Sequence, residues 1–302
     1  GRDLVAICGD QPFFSVDDWF IGSTAMPGGV PEVIRRQTLK FRYNDLASLA
    51  ALFGAYPAQI ACVCMEAETT EPPAAGYLQS VIDLCHQHGA LFVLDEIITV
   101  FRWHTGGAQT LYGITPDLST FGKGLGNGFA VEALVGKAAI MERGGLLHDK
   151  ERVFFFFSTH GAETHSLAAA IATMRTYREQ DVIGQMHRQG ERLAREVRLA
   201  AGDLGIGGYF EVAGRASNLI FVTRDADRSR SQPFRTLFMQ EIIKRGVIAP
   251  SLVVSYSHRD EDIDRTLDAI NEALYIYRKA LDEGCEKYLV GRPVKPAVRK
   301  FN

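Results

Sequence analysis

The sequence predicts an α/β protein, in which a parallel-rich central sheet flanked by helices precedes a small C-terminal α+β domain. Three observations predict this. Short apolar runs alternate with stretches of helical period over the first two thirds of the chain. One run, Leu91–Leu94, is apolar throughout rather than alternating, as a strand buried on both faces is. From Tyr209 the texture changes to two strand-like runs and two helices.

Taken in order, Val5–Cys8 reads as a strand and GDQPFFSVDDWFIGST as an aromatic-rich loop. Pro31 suits the first turn of a short helix over 31–36. Asn44 or Asp45 can cap the helix DLASLAALFGAY, whose apolar residues recur at helical spacing. QIACVCM is a buried strand ending at Glu66, and Glu71-Pro72-Pro73 breaks the chain. A helix over 76–88, capped by Gly89, leads into Leu91–Leu94. Strand-like runs recur at 118–121, 133–136 and 153–157. Ser166–Leu204 is amphipathic and reads as one or two helices. Runs at 209–213 and 218–223 are strands, FRTLFMQEIIKRG is a helix ending at Gly246, and GVIAPSLVVSYS is extended. DEDIDRTLDAINEALYIYRKALDEG is a helix whose acidic first turn suits the helix dipole. The expected organisation is a large domain over 1–205, a small domain over 206–290 and a poorly ordered tail over 291–302.

Composition narrows the function. The chain has 302 residues, 46% hydrophobic and 23% charged, as a globular protein has. A net charge of -3 and a pI near 6.3 supply no basic field for nucleic acid. No apolar run approaches the roughly 20 residues that span a bilayer. The start GRDLVAICGD lacks a basic region followed by an apolar one, so no signal peptide is expected. Five cysteines, three of them inside apolar segments, fit reduced thiols in a cytoplasmic protein. Cys85, His86 and His88 could suggest a metal site, but they close a helix, and no metal is expected there.

The chemistry concentrates between Leu91 and Gly136. LFVLDEIITVF carries Asp95 at the end of its apolar run, and PDLSTFGKGLGNG carries Lys123 among glycines. In parallel α/β sheets ligands bind at the carboxyl ends of strands, where both residues fall. A lysine there is a point charge for an anion or a nucleophilic amine. An aspartate there serves a metal, a ribose or a cationic ring nitrogen. Pyridoxal phosphate uses both: the amine forms a Schiff base with its aldehyde, and the carboxylate keeps its ring nitrogen protonated. The amine is expected to be buried, with a pKa lowered accordingly. GKGLGNG is neither a Walker loop nor G-x-G-x-x-G, because its lysine precedes the glycines and no strand–glycine–helix context surrounds it.

LFVLDEIITVFR followed by TPDLSTFGKGLGNGFAVEALVG resembles the core of the class III, fold type I aminotransferases, and within them the glutamate-1-semialdehyde aminomutases. The resemblance covers nearly the whole chain. It implies a pyridoxal-phosphate enzyme that moves an amino group between a small amino donor and a carbonyl acceptor. By this resemblance Lys123 is the Schiff-base lysine, Asp95 pairs with the ring nitrogen, and Ile97, on the same face of an extended chain, packs on the ring. Phe13 stands where a stacking aromatic is found. FFFFSTHGAETHSLAAA resembles the segment whose threonine reaches the cofactor phosphate of the neighbouring subunit, which carries over to Thr159 and implies a homodimer with shared sites. Glu66-Ala67 stands where the family has Glu-Pro, and Glu66 itself reads as a strand-end cap. The resemblance also implies an upstream segment with a Ser-Gly-Thr phosphate loop, so the chain reads as lacking its N-terminal part. Val100, Ala130 and Glu132 depart from the family pattern of glycine, proline and a small residue, and bear on the substrate more than on the cofactor. A non-catalytic or truncated relative, keeping the fold as a binding surface, is the alternative reading.

Overall fold

A computed structural model describes residues 1–9, 27–68, 71–151, 153, 161 and 163–296. Its chain divides into two compact units, Gly1–Glu179 and Gln180–Ala297.

In the first unit, strand β1 (Leu4–Cys8) leads to helix α1 (Glu32–Arg35), β2 (Thr38–Phe41), α2 (Leu46–Ala55), β3 (Ile60–Glu66) and α3 (Tyr77–Gln87). There follow β4 (Leu91–Asp95), α4 (Gly107–Tyr112), β5 (Leu118–Phe121), β6 (Ala133–Gly136), α5 (Ala138–Met141) and α6 (Thr164–Glu179). The six strands form one sheet in the order β2-β1-β3-β4-β5-β6, parallel except for β6. Leu78, Val81, Ile82 and Cys85 put one face of α3 into the core with Val63, Met65, Phe92 and Leu94 from the sheet. Asp45, rather than Asn44, caps α2 by accepting from Ser48 N–H at 3.0 Å. Asn44 instead ties the following break, accepting from Ala74 N–H at 2.9 Å. Strand β2 and helix α4 are too short to show a period, and the sequence reading passed over both. Of the run at 153–157, only Val153 is among the described residues, and it is not in a strand.

The second unit contains α7 (Val182–Asp203), β7 (Phe210–Ala213), β8 (Ile220–Thr223), α8 (Gln232–Lys244) and α9 (Asp260–Glu283). The amphipathic stretch is thus two helices, and Asp181 starts the second by accepting from Gly184 N–H at 3.1 Å. The division falls at residue 179 rather than 205 because α7 packs on α9 and β7 within the second unit. A continuous helical period carries no mark of which core each half enters. GVIAPSLVVSYS forms no strand, and Leu252 in it bridges to Leu219 just before β8. Among the described residues no helix is long and apolar enough to cross a membrane.

Asp117 pins the amino ends of β4 and β5. Its buried carboxylate accepts from Phe92 N–H at 2.7 Å, Lys137 Nζ at 2.6 Å and His86 Nε2 at 2.9 Å. His88 stacks on Phe53 with ring centroids 4.5 Å apart, so the Cys85-His86-His88 cluster is spent on packing. Burial alone would raise the Asp117 pKa, but the hydrogen bonds from Lys137, Phe92 and His86 outweigh it and hold the carboxyl below the usual range. Such a group contributes stability that is complete above the unfolded value of about 3.9 and vanishes as pH falls through the lower folded value. Asp117→Asn is therefore expected to lower Tm at neutral pH, with the gap from wild type closing in acid. Calorimetry at stepped pH checks this, and a gap independent of pH would contradict it.

Candidate active site

Parallel register brings one polar row to the carboxyl edge of the sheet. Glu66 at the end of β3 is paired with Asp95 at the end of β4, and Asp95 with Thr120 on β5. Lys123 follows three residues after Thr120, in a tight turn over Lys123–Leu125. Asp95 is 8% exposed, and its Oδ1 accepts from Ile97 N–H at 2.9 Å and Thr120 Oγ1 at 3.3 Å. Burial pushes its carboxyl above the ordinary range, while the Ile97 bond, the charge of Lys123 and the Thr120 bond pull it down. The charge of Lys123 thus acts on Asp95 at the same edge of the sheet.

The lysine turn is held from below. Leu125 is buried with Val100, Phe101 and Ala170, and Tyr177 packs against them from α6 while its hydroxyl donates to the Phe101 carbonyl at 2.6 Å. Lys123 itself takes φ +43, a left-handed conformation that costs an L-residue roughly 1 kcal/mol. Gly126 has no choice of residue, because a Cβ there would run into the Phe129 carbonyl.

Two expectations need correction. Lys123 is exposed rather than buried, since the turn carries it past the sheet edge. Ile97 does not continue an extended chain. The backbone turns immediately after Asp95, and Ile97 reaches the site from that turn, where a Cβ on Gly122 would lie 3.6 Å from its Cγ2. Ile97 thus stands beside the backbone that precedes Lys123. Phe13 and Thr159 lie outside the described residues.

The register places Glu66, which from sequence alone is a strand-end cap, directly beside Asp95. The signal was present: Glu66, like Asp95, is a single acid closing an apolar run. No such pattern marks Glu96. That residue is fully buried and accepts from Ala108 N–H and Gln109 N–H, each at 2.8 Å, and from the Thr99 hydroxyl. Glu96 caps α4 from eleven residues away and so fixes the turn that begins at Asp95.

A pyridine nitrogen fits the row. Among the described residues both hydrogen bonds to Asp95 arrive on Oδ1, which leaves Oδ2 for a cationic N–H. Lys123 Nζ makes no hydrogen bond among the described residues and supplies an amine at the same edge.

Residues 22–274 match the family described as Aminotransferase class-III. The chain belongs to this family. It is 32% identical over 273 residues to the 3-aminobutyryl-CoA aminotransferase of Cloacimonas acidaminovorans, covering 87% of this chain and 63% of that protein. It is 34% identical over 284 residues to the glutamate-1-semialdehyde 2,1-aminomutase of Nitratidesulfovibrio vulgaris, covering 88% and 65%. The chain therefore spans less than two thirds of the length of these curated relatives. The FumI protein of Sphingopyxis sp. MTA144, solved in its PLP internal aldimine form, superposes with a TM-score of 0.79 at 23% identity, over 93% of this chain and 66% of that one. The mostly parallel sheet flanked by helices is that of the fold type I transaminases, and the cofactor that the class-III family indicates is pyridoxal phosphate.

Proposed function

We propose that this class-III chain serves a pyridoxal-phosphate enzyme that moves an amino group between a small amino donor and a carbonyl substrate, as an aminotransferase or an aminomutase. The observation that supports this reading is that Asp95 ends β4 beside Thr120, with Lys123 three residues further on and its charge acting on Asp95, inside a chain of this family. When bound, the cofactor supplies an aldehyde that condenses with amines and a cationic ring that takes up the electrons released when a substrate C–H loses its proton.

The residues divide the remaining work. Lys123 Nζ would hold the aldehyde and, when free, would move the proton to and from the substrate carbon. Asp95 Oδ2 holds the ring nitrogen in its protonated form, and the Ile97 and Thr120 hydrogen bonds on Oδ1 fix the orientation of the carboxylate. Ile97 would lie against one ring face. Phe13 is the candidate for the other face, and Thr159 for the phosphate of the neighbouring subunit. The assembly is a homodimer in the cytoplasm, and the exposure of Lys123 in the single chain fits a site that a second subunit helps to close. The alternative, a non-catalytic relative, has against it the retention of both residues.

Added pyridoxal phosphate is expected to turn the protein yellow, and borohydride to fix the label on the peptide that contains Lys123. A protein that stays colourless, or a label on another lysine, would overturn the assignment.

A further inference from the structure

The polar row contains a second acid for which the scheme above has no use. Glu66 ends β3 in register with Asp95, and registered residues of neighbouring parallel strands lie about 4.8 Å apart with side chains on one face. We propose that Glu66 is a positioning residue for Asp95: the two carboxyl groups share one proton, which Glu66 keeps, so that Asp95 alone is the anion presented to the ring nitrogen. The role at the ring rests on the cofactor reading; the acid pair rests on the register and burial alone.

Two like charges this close, one buried and one half-buried, oppose each other's ionisation, so the question is which group holds the proton as pH falls to neutral. Burial raises Asp95 too, but the Ile97 N–H and the Thr120 hydroxyl on one oxygen and the charge of Lys123 all favour its charged form. Glu66 is pushed the other way. Burial first, and then the charge of Asp95, raise its pKa to about 7, against the opposing pull of Lys123. On its other flank lies β1, whose residues Leu4–Cys8 include no charge and only the Cys8 thiol as a titratable group. Asp95 and Lys123 are therefore the charges that set its titration among the described residues. Below that pH the row carries one negative charge. Above it Glu66 releases its proton to solvent, and a second negative charge stands against Asp95 and Lys123.

The pair is tested first on the protein without cofactor, by infrared spectroscopy of protonated carboxyl groups across the neutral range. Subtracting the Glu66→Gln spectrum isolates the Glu66 band. It is expected to fade with a midpoint near pH 7. In Asp95→Asn, referenced to the Asp95→Asn/Glu66→Gln double variant, the midpoint is expected to fall by about one unit or more, as loss of a neighbouring like charge requires. With pyridoxal phosphate bound, the absorbance and kcat of wild type should carry the same neutral step. Glu66→Gln should keep the colour and lose the step, and Glu66→Asp should restore a step. A Glu66 band that fades in the ordinary carboxylate range, or one whose midpoint ignores Asp95→Asn, overturns the proposal. A protein that shows the pair but stays colourless with added pyridoxal phosphate keeps the acid pair and overturns the cofactor reading instead.

Discussion

Lys123→Ala is expected to abolish turnover, by about a thousandfold or more, while leaving the fold as stable as wild type to within about 1 kcal/mol. The two halves of this expectation have separate causes. Lys123 is exposed, and its Nζ makes no hydrogen bond among the described residues, so nothing in the packing depends on the amine. Alanine at φ +43 meets the same left-handed penalty as lysine, so the turn is not relaxed or strained by the change. What is lost is the only chemistry that the turn presents, an amine able to form a covalent bond and then carry a proton. Lys123→Arg sharpens the test. It keeps the positive charge that acts on Asp95 and Glu66, but a guanidinium does not deprotonate near neutral pH and is no nucleophile. The arginine variant is expected to be as inactive as the alanine one. Steady-state turnover with a panel of amino donors, read beside Tm, checks both. Full activity in either variant would remove Lys123 from the centre of the reaction.

The strands that carry this chemistry were legible because they are apolar runs closed by one charged residue. LFVLD announces a buried strand and, at its end, a side chain that burial would not tolerate without a use, and LSTFGK sets its lysine just past a strand end. Glu66 obeys the same rule, yet its meaning lies in register: that β3 pairs beside β4 is a fact of sheet order, which no local pattern encodes. The exposure of Lys123 is hidden in the sequence for a related reason. A turn of three residues decides whether a side chain falls inside or beyond the sheet edge, and glycine-rich turns have no period to read. Ile97 cannot share a strand face with Asp95, since the strand stops at Asp95. The boundary at residue 179 was hidden inside one amphipathic stretch, and only the capping Asp181 marks the break.

The largest stability effect is expected at Glu96. Its carboxylate is fully buried and serves three donors: two backbone N–H groups at the start of α4 and the Thr99 hydroxyl. Burial tends to raise its pKa, and the bonds from Thr99, Gln109 and Ala108 oppose this, so the same hydrogen bonds that make the site tolerable also make it dependent on the acid. Gly107, at φ +75, allows the approach, since a Cβ there would collide with the carboxylate. Glu96→Ala strands those donors, at about 1–3 kcal/mol for each buried group left unsatisfied, and a net loss of about 3 kcal/mol is the expected result. For a chain of 302 residues that corresponds to a fall in Tm of roughly 5 °C. Glu96→Gln keeps the shape and one acceptor, and should lose about half as much. The consequence reaches the site, because the turn that Glu96 anchors begins at Asp95 and includes Ile97, whose N–H orients the Asp95 carboxylate. Affinity for pyridoxal phosphate should therefore weaken in parallel with Tm across Glu96→Gln and Glu96→Ala. A Glu96→Ala protein that melts with wild type would show that α4 finds other partners for its first N–H groups, and would detach the acid row from the turn behind it.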